Sequence, residues 1–434
     1  MTYDILFADL AAAKHTSKSV PSTIFGLSEE QSQALSSPFS RSAVICAGAG
    51  AGKTRLLVER VSALIKAGVN PRRIAVVTFT RKAAAEITSR VVLRLGDKTK
   101  QPVCGTVHAL ALSVLTRRKE SFLLASEAQE HACLSALSEL LPDEFEGLSS
   151  PELLLLLNRA REQDEYHSLA GLLALAYEEQ LSLQGLEDFT SLLARAALRP
   201  DDRFDYVLVD EAQDLSNLQL KFLRSIGTSA CFWFIGDPDQ AIYSFRGAQA
   251  SMMHGLQEAC DDLHVLSINY RCARSIVTHA NNVIQFNTER FPVSWKAERH
   301  SEGAVTVHPY QNAEEELDAA IKWASSAPTK RCVLGRTQAI IAPLKALGLP
   351  AMSVHESKGL EWEEVLVMGC EAALFPHPLA AREEERRLFY VAMTRARDSL
   401  SMSYCATRSS KNPQMRTRHP SVFLFEAQAL QAKS

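Results

Sequence analysis

Long apolar runs, an excess of basic residues and paired cysteines are all missing from this sequence. The longest apolar runs fall well short of a membrane span, and Asp4 and Asp9 stand where a secretion signal would be basic, so we expect neither membrane insertion nor secretion. The formal net charge is −3, so a nucleic-acid site would have to be a local basic groove. The nine cysteines include no Cys-x-x-Cys pair, which disfavours structural zinc and disulfides and suits a cytoplasmic protein.

The length and the order of the predicted elements indicate an α/β protein with more than one domain. A chain of 434 residues is long for one core. Apolar strands that are each followed by a helix predict parallel sheets, whereas a Leu-rich stretch with few β-branched residues predicts an all-helical insertion. We expect an N-terminal extension at residues 1–24, a first sheet domain at 25–108 and 200–262, the insertion at 109–199, and a second sheet domain at 263–434.

A glycine-rich loop, CAGAGAGKT at residues 46–54, lies between a predicted strand at 42–46 and a predicted helix at 53–67. Its glycines let successive backbone N–H groups turn towards a polyphosphate, its lysine can reach the β and γ phosphates, and its threonine can bind Mg²⁺. Ala47 stands where the usual pattern begins with glycine. A simple Gly/Ala-rich turn is the alternative, but the flanking strand and helix favour a phosphate-binding loop.

Two adjacent carboxylates follow a second apolar strand, in the segment VLVDE at residues 207–211. The carboxyl ends of strands in α/β sheets are where ligands bind. Asp210 can hold Mg²⁺ and Glu211 can polarise an attacking water molecule. A solvated strand end is the alternative; the phosphate-binding loop upstream favours the catalytic role.

Other short segments follow in a fixed order along the chain, and together they resemble the motifs of superfamily 1 helicases of the UvrD/Rep/PcrA type. Gln31 matches the adenine-reading Q motif. The segments similar to motifs Ia, Ib, II, III, IV, V and VI are TFTRKAAAE at 78–86, GTVH at 105–108, DEAQD at 210–214, GDPDQAIY at 236–243, NYR at 269–271, SVHESKGLEW at 353–362 and YVAMTRAR at 390–397.

The resemblance implies two RecA-like domains with an ATP site at the cleft between them. The catalytic residues it implies are Lys53, Asp210, Glu211, Gln240 as γ-phosphate sensor, and Arg271 and Arg395 as arginine fingers. The cofactors would be ATP and Mg²⁺, with Thr54 and Asp210 as metal ligands. The nucleotide-binding residues would be Gln31 at the adenine edge, Ala49, Gly50, Ala51, Gly52, Lys53 and Thr54 at the phosphates, Arg55 and Tyr270 on the adenine faces, and Glu361 at the ribose.

The resemblance also implies contacts to successive bases of a single strand, which are tolerant of sequence because every base has a π face. The residues at the matching positions are Phe79, His108, Tyr243, Phe245, Arg246 and His355. Core packing is the alternative for the aromatic residues, as is a structural role for the histidines, and Lys82 and Lys358 either touch phosphates or are solvated.

Several positions depart from the family pattern. Arg81 replaces the usual Asn of motif Ia, Ala109 replaces a common Ser, and Phe245 stands where Trp is frequent. The interval between motifs IV and V leaves little room for the helical 2B subdomain of the family. These departures affect the grip on DNA rather than ATP hydrolysis, and they predict a compact form that unwinds duplexes poorly by itself.

The sequence therefore predicts an ATP-dependent translocase or helicase on single-stranded DNA, with 3′ to 5′ polarity inherited from the resemblance. We expect a monomer when free, which works in DNA repair, recombination or a mobile-element or defence system. A protein partner such as a nuclease or a loading factor is an expectation too. The alternatives are a nucleotide-gated DNA clamp and an accessory subunit of a larger helicase–nuclease or defence complex.

Overall fold

Two groups of parallel strands form the framework of the chain. The computed structural model describes residues 26–96, 101–137, 143–145, 147–244, 247–249, 251–288, 290–408 and 417–430. The chain divides into two compact units. The first consists of the described residues up to Ala47, with Lys53–Asp237 and Tyr243–Leu266; the second consists of Gly48–Gly52, Pro238–Ile242 and the described residues from Ser267 onwards.

The first unit is built on a six-stranded sheet in the order β3-β2-β4-β5-β1-β6, and each pairing in it is parallel. Strands β1, β2, β4 and β5 are buried along their whole length, as expected for a parallel sheet covered on both faces. The strands are β1 (Ala43–Ala47), β2 (Ile74–Val77), β3 (Val103–Gly105), β4 (Tyr206–Val209), β5 (Cys231–Gly236) and β6 (Asp262–Leu266).

Helices cover this sheet and also form the insertion. They are α1 (Glu29–Ser36), α2 (Lys53–Lys66), α3 (Arg81–Leu95), α4 (Val107–Arg117), α5 (Glu127–Ala136), α6 (Ser150–Glu162), α7 (Leu169–Leu183), α8 (Phe189–Ala197), α9 (Asn217–Ser225) and α10 (Met252–Ala259). Many begin at a side chain that accepts a hydrogen bond from a free N–H group of the first turn. Such N-caps are Ser28, Thr80, Thr106, Ser126, Ser168, Asp188 and Ser216.

The insertion between β3 and β4 has an apolar core of its own, which includes Leu157, Leu173 and Tyr177. A buried ion pair fixes its helices: Arg161 Nη2 donates to Asp188 Oδ1 over 3.0 Å, and Asp188 Oδ1 also caps α8 by accepting from Ser191 N over 2.7 Å. Arg161 Nε also donates to Glu178 Oε1 over 2.7 Å, whereas the buried Asp188 carboxylate has Arg161 as its ion-pair partner, so losing Arg161 would be costly. The predicted helical character of this region is thus what the structure shows.

The second unit contains a five-stranded sheet in the order β11-β10-β12-β13-β9, also with parallel pairings, and a small ladder of β7 and β8. Its strands are β7 (Ile268–Asn269), β8 (Lys296–Ala297), β9 (Ala304–Asn312), β10 (Arg331–Gly335), β11 (Ala351–Ser353), β12 (Trp362–Met368) and β13 (Ala396–Thr407). Its helices are α11 (Arg274–Ile284), α12 (Ala313–Ser326), α13 (Gln338–Ala346), α14 (Arg382–Met393) and α15 (Val422–Glu426).

The predicted fold class, α/β with two parallel sheets and a helical insertion in the first, is confirmed. One element lies elsewhere than expected. The apolar segment at residues 263–268 is predicted to open the second domain, but it begins as β6, which pairs with β1 in the first sheet from Asp262 to Leu266. An apolar run indicates a buried strand, but it does not indicate with which sheet that strand will pair.

Candidate nucleotide and nucleic-acid sites

The loop between β1 and α2 turns sharply at two glycines. Gly50 has a φ of 68° and Gly52 of 82°, in the left-handed region that glycine adopts without steric cost. Ala51 N donates to Gly48 O over 3.2 Å, and α2 begins at Lys53. The loop therefore ends at the N-terminus of a long helix, where backbone N–H groups and the helix dipole favour an anion.

The lysine and threonine of this loop lie at the first turn of α2. Lys53 Nζ donates to Ala47 O over 3.3 Å, so its ammonium group folds back over the loop. The Thr54 hydroxyl and the Asp210 carboxylate are both hard oxygen ligands, the type that Mg²⁺ prefers, and this donor set fits the ion.

The acidic pair follows β4 directly. Asp210 is 8% exposed, and its N–H donates to Val77 O over 2.9 Å, which continues the pairing with β2. Glu211 has a φ of 53°, which is rare for a residue with a side chain. Its Oε2 accepts from Gln213 Nε2 over 2.7 Å, and Gln213 Oε1 accepts from Asp237 N over 3.0 Å. A strained backbone held by a side-chain network is typical of a functional position.

The residues predicted to bind adenine have defined partners. Gln31 is buried and forms a capping box with Ser28: Gln31 N donates to Ser28 Oγ over 3.2 Å and Gln31 Oε1 accepts from Ser28 N over 3.1 Å. The Arg55 side chain is exposed and lies against Gly26, and the ring of Tyr270 is 39% exposed while its N–H donates to Gly50 O over 3.0 Å.

Within the second unit, Arg395 contacts Gln240. Arg395 is 2% exposed, and its Nη2 donates to Gln240 Oε1 over 3.2 Å. Its Nε donates to Val391 O over 3.0 Å and its Nη1 to Leu360 O over 3.3 Å, so the guanidinium group is held in one orientation. Lys358 Nζ donates to Gln240 O over 2.8 Å. The predicted γ-phosphate sensor and one predicted arginine finger are thus in direct contact.

Arg271 lies beside the phosphate-binding loop. A Cβ atom added at Gly50 would lie 2.6 Å from Arg271 Cβ, so only glycine fits there. The guanidinium group of Arg271 forms an ion pair with Glu361, and its Nη1 donates to Thr394 O over 3.3 Å. The residue predicted to touch the ribose therefore also positions the other predicted arginine finger.

The sequence did not single out a cluster around Trp295, which the structure places beside both the loop and motif III. Trp295 is 5% exposed, and a Cβ atom added at Gly48 would lie 2.6 Å from its ring. Its Nε1 donates to Asp239 Oδ2 over 3.2 Å, and Arg290 holds the same carboxylate with Nε and Nη2 over 3.1 and 2.7 Å. No local pattern marks these residues, because Trp295 and Asp239 are far apart in the chain.

Several residues of the predicted DNA track meet in the first unit. The Phe79 and Tyr243 rings are stacked, with centroids 6.1 Å apart and an angle of 11° between their planes. His108 packs edge-on against Phe189, and burial lowers the pKa of its imidazole. His355 is half-buried in the second unit. Phe245 and Arg246 lie outside the described residues.

A cavity of about 350 Å³ lies in the first unit behind the stacked rings. Phe79, His108 and Tyr243 form part of its wall, and polar side chains from the insertion and from α9 form another part. The polar members are Thr78, Thr106, Asn158, Glu162, Thr190, Asp214 and Gln219. An aromatic face beside polar groups suits a flat heterocycle with hydrogen-bonding edges.

Two protein-family models match the chain. The model of the UvrD/REP helicase N-terminal domain matches residues 27–131 and 124–261. The model of the UvrD-like helicase C-terminal domain matches residues 344–407. Among the described residues, no helix is long and apolar enough to cross a membrane.

Curated relatives are similar over much of the chain. The ATP-dependent DNA helicase PcrA of Leuconostoc citreum is 26% identical over 95% of this chain and 62% of its own length. PcrA of Staphylococcus aureus is 28% identical over 64% of this chain and 42% of its own length. The putative ATP-dependent DNA helicase YjcD of Bacillus subtilis is 30% identical over 63% of this chain and 40% of its own length. The matched region is therefore between 40% and 62% of the length of these relatives.

Proposed function

The chain belongs to the UvrD/REP helicase family, and from this premise we propose that it is an ATP-driven motor that moves along single-stranded DNA. The observation that carries the proposal is the arrangement at the carboxyl ends of the first sheet. The phosphate-binding loop follows β1, the Asp210–Glu211 pair follows β4, and β5 pairs with both strands. Transfer of a phosphoryl group to water needs groups that bind the phosphates, hold the metal ion and position the water. A phosphate-binding loop and a pair of carboxylates at one edge of a sheet can supply these groups.

In this proposal each unit contributes its own set of groups to hydrolysis. In the first unit, Lys53 binds phosphate oxygens, Thr54 and Asp210 hold Mg²⁺, and Glu211 polarises the attacking water. Mg²⁺, when bound, neutralises charge on the β and γ phosphates. Glu211 suits its part because its backbone is held in the left-handed region and Gln213 orients its carboxylate.

The second unit supplies cationic groups and a sensor. Negative charge spreads over the phosphoryl oxygens in the transition state, and guanidinium groups stabilise it there. Arg271 and Arg395 have this part in the proposal, and Gln240 detects the γ-phosphate. Arg395 donates a hydrogen bond to the Gln240 amide oxygen. A movement of the Gln240 side chain on loss of the γ-phosphate would therefore change the contacts of Arg395. This contact is a physical route from hydrolysis to movement.

The DNA strand would stack on aromatic residues. Phe79 and Tyr243 offer a flat wall, and His108 lines the same cavity. Each base stacked on an aromatic side chain is typically worth about 1–3 kcal/mol. Phe245, Arg246 and His355 extend the proposed track by resemblance.

The finer biology is also a proposal. We expect 3′ to 5′ movement and weak unwinding of long duplexes by the isolated chain. Between motifs IV and V the described residues form α11, β8, β9, α12, β10, α13 and β11, which leaves no helical subdomain there in the described part of the chain. Strand separation would then need a partner such as a nuclease or a loading factor, in repair, recombination or a mobile-element or defence system.

ATPase assays with a panel of nucleic acids test this function. We expect hydrolysis to be stimulated by single-stranded DNA far more than by duplex DNA or RNA, and the Lys53→Ala variant to lose it. A matched control is Lys66→Ala, at the other end of α2. Stimulated hydrolysis that survives in Lys53→Ala would refute the assignment of the nucleotide site.

A further inference from the structure

Glu162 is a buried carboxyl group that the proposed function does not use. It is the last residue of α6, is 7% exposed and lines the cavity behind the Phe79–Tyr243 stack. The Ser216 hydroxyl donates a hydrogen bond to Glu162 Oε2. Gly247 lies against it, since a Cβ atom added at Gly247 would be 2.6 Å from Glu162 Cβ.

The charged groups around Glu162 leave it without an ion-pair partner among the described residues. Its neighbour Arg161 is held by Asp188 and Glu178. The other titratable groups that line the cavity are His108 on α4, Asp214 after β4 and the Tyr243 phenol. Burial raises the pKa of the Glu162 carboxyl to about 7, although the Ser216 hydrogen bond and Arg161 lower it and Asp188 raises it further.

One residue of the cavity wall, Gln219, has an acceptor atom that lacks a donor among the described residues. Gln219 Oε1 is buried and has no hydrogen-bond partner in the described part of the chain. A buried acceptor without a donor costs free energy, and a rotation of the Gln219 amide into the cavity would let N–H groups on the edge of a ligand remove that cost. A nucleobase has such an edge, and its flat face suits the stacked rings.

We propose that Glu162 is a specificity-determining residue of this cavity, where its neutral carboxyl group donates a hydrogen bond to the edge of a base stacked beside Phe79 and Tyr243. The ionised carboxylate cannot donate and adds negative charge next to a polyanionic strand. The inference rests on the proposed binding of single-stranded DNA and adds to it a dependence on protonation.

The direction of the effect follows from the carboxyl group. A group with a pKa of about 7 is about nine-tenths neutral at pH 6 and about one-tenth neutral at pH 8. If only the neutral form binds the base, the affinity for the strand falls about tenfold across this range. Burial lowers the pKa of the His108 imidazole, which moves its titration away from that of Glu162.

Fluorescence anisotropy with a rhodamine-labelled oligothymidylate, at constant ionic strength from pH 6 to pH 8, tests the proposal. The native chain should lose about tenfold in affinity as the pH rises. Glu162→Gln keeps a donor at every pH, so it should bind at pH 8 as tightly as the native chain binds at pH 6. Glu162→Ala has no donor and should bind weakly at both.

Glu165→Gln is the control, because Glu165 is exposed, lies three residues from Glu162 and undergoes the same exchange of a carboxyl group for an amide. The Glu165→Gln variant should lose affinity for the strand between pH 6 and pH 8 to the same extent as the native chain. Thermal unfolding of each variant at pH 6 checks that the first unit is folded. A native chain without a pH slope, or a slope that persists in Glu162→Gln, overturns the role of Glu162 while leaving DNA binding intact. Absence of binding at every pH would instead refute the proposed function.

Discussion

The buried ion pair between Asp239 and Arg290 predicts a large and specific effect of Asp239→Ala. The side chains are 2% and 13% exposed, and two hydrogen bonds of 3.1 and 2.7 Å join them. Removing the carboxylate takes away the two hydrogen bonds that the Arg290 guanidinium donates to it, and it also removes the acceptor of Trp295 Nε1. Breaking a buried pair in this way typically costs about 3–5 kcal/mol.

An exposed pair of the same unit gives the comparison. Lys330 and Glu363 lie 3.0 Å apart, with side chains 58% and 45% exposed. Such pairs contribute about 0–1 kcal/mol, so Glu363→Ala should hardly change stability. For a unit of this size 1 kcal/mol corresponds to about 2–4 °C, so Asp239→Ala should lower the melting temperature by roughly 6–20 °C.

Thermal unfolding of both variants, followed by circular dichroism, measures this difference. The ATPase should change as well, since Gln240 directly follows Asp239 in the same short turn. At a temperature where both variants are folded, we expect kcat to fall in Asp239→Ala and to stay at the native value in Glu363→Ala. Equal melting temperatures for the two variants would refute the idea that this buried pair holds motif III in place.

Four further substitutions test individual groups of the sites. Gly50→Ala should raise the KM for ATP at least tenfold, because the left-handed backbone costs about 1–2 kcal/mol and the new Cβ atom meets Arg271; an unchanged KM would contradict this. Glu211→Gln should bind ATP normally in an equilibrium assay and lower kcat about 10²–10⁴-fold, and a near-native kcat would exclude Glu211 as the general base. Arg395→Lys should lower kcat at least about tenfold, since an ammonium group cannot reproduce the fork of donors; full activity would show that charge alone suffices. Phe79→Ala should weaken binding of single-stranded DNA by about 1–3 kcal/mol in anisotropy titrations, and unchanged affinity would assign Phe79 to packing.

Local patterns allowed much of the fold to be predicted. The predicted strand at 42–46 and helix at 53–67 depend on residues a few positions apart, and the structure has them as β1 and α2. Apolar strands followed by helices predicted parallel pairing because that order forces crossover connections. The edge position of β6 could not be predicted in this way, since it depends on which sheet offers a free edge.

The residues that sequence reasoning missed act through partners distant in the chain. Trp295 reaches Asp239 and Gly48, and Glu162 reaches the cavity from the insertion. Only the packed chain brings these groups together, so neither spacing nor periodicity reveals them. The roles assigned to the predicted site residues depend on bound ATP or DNA and stay predictions, including those of Phe245 and Arg246.

Displacement of streptavidin from biotinylated single-stranded DNA measures ATP-driven movement along a strand. A motor that moves 3′ to 5′ should release streptavidin from a 5′-biotin end much faster than spontaneous dissociation, only with ATP and Mg²⁺, and not in the Lys53→Ala variant. Release from a 3′-biotin end should stay at the spontaneous rate. ATPase activity that is stimulated by single-stranded DNA without release from either end would contradict the account and indicate a nucleotide-gated clamp.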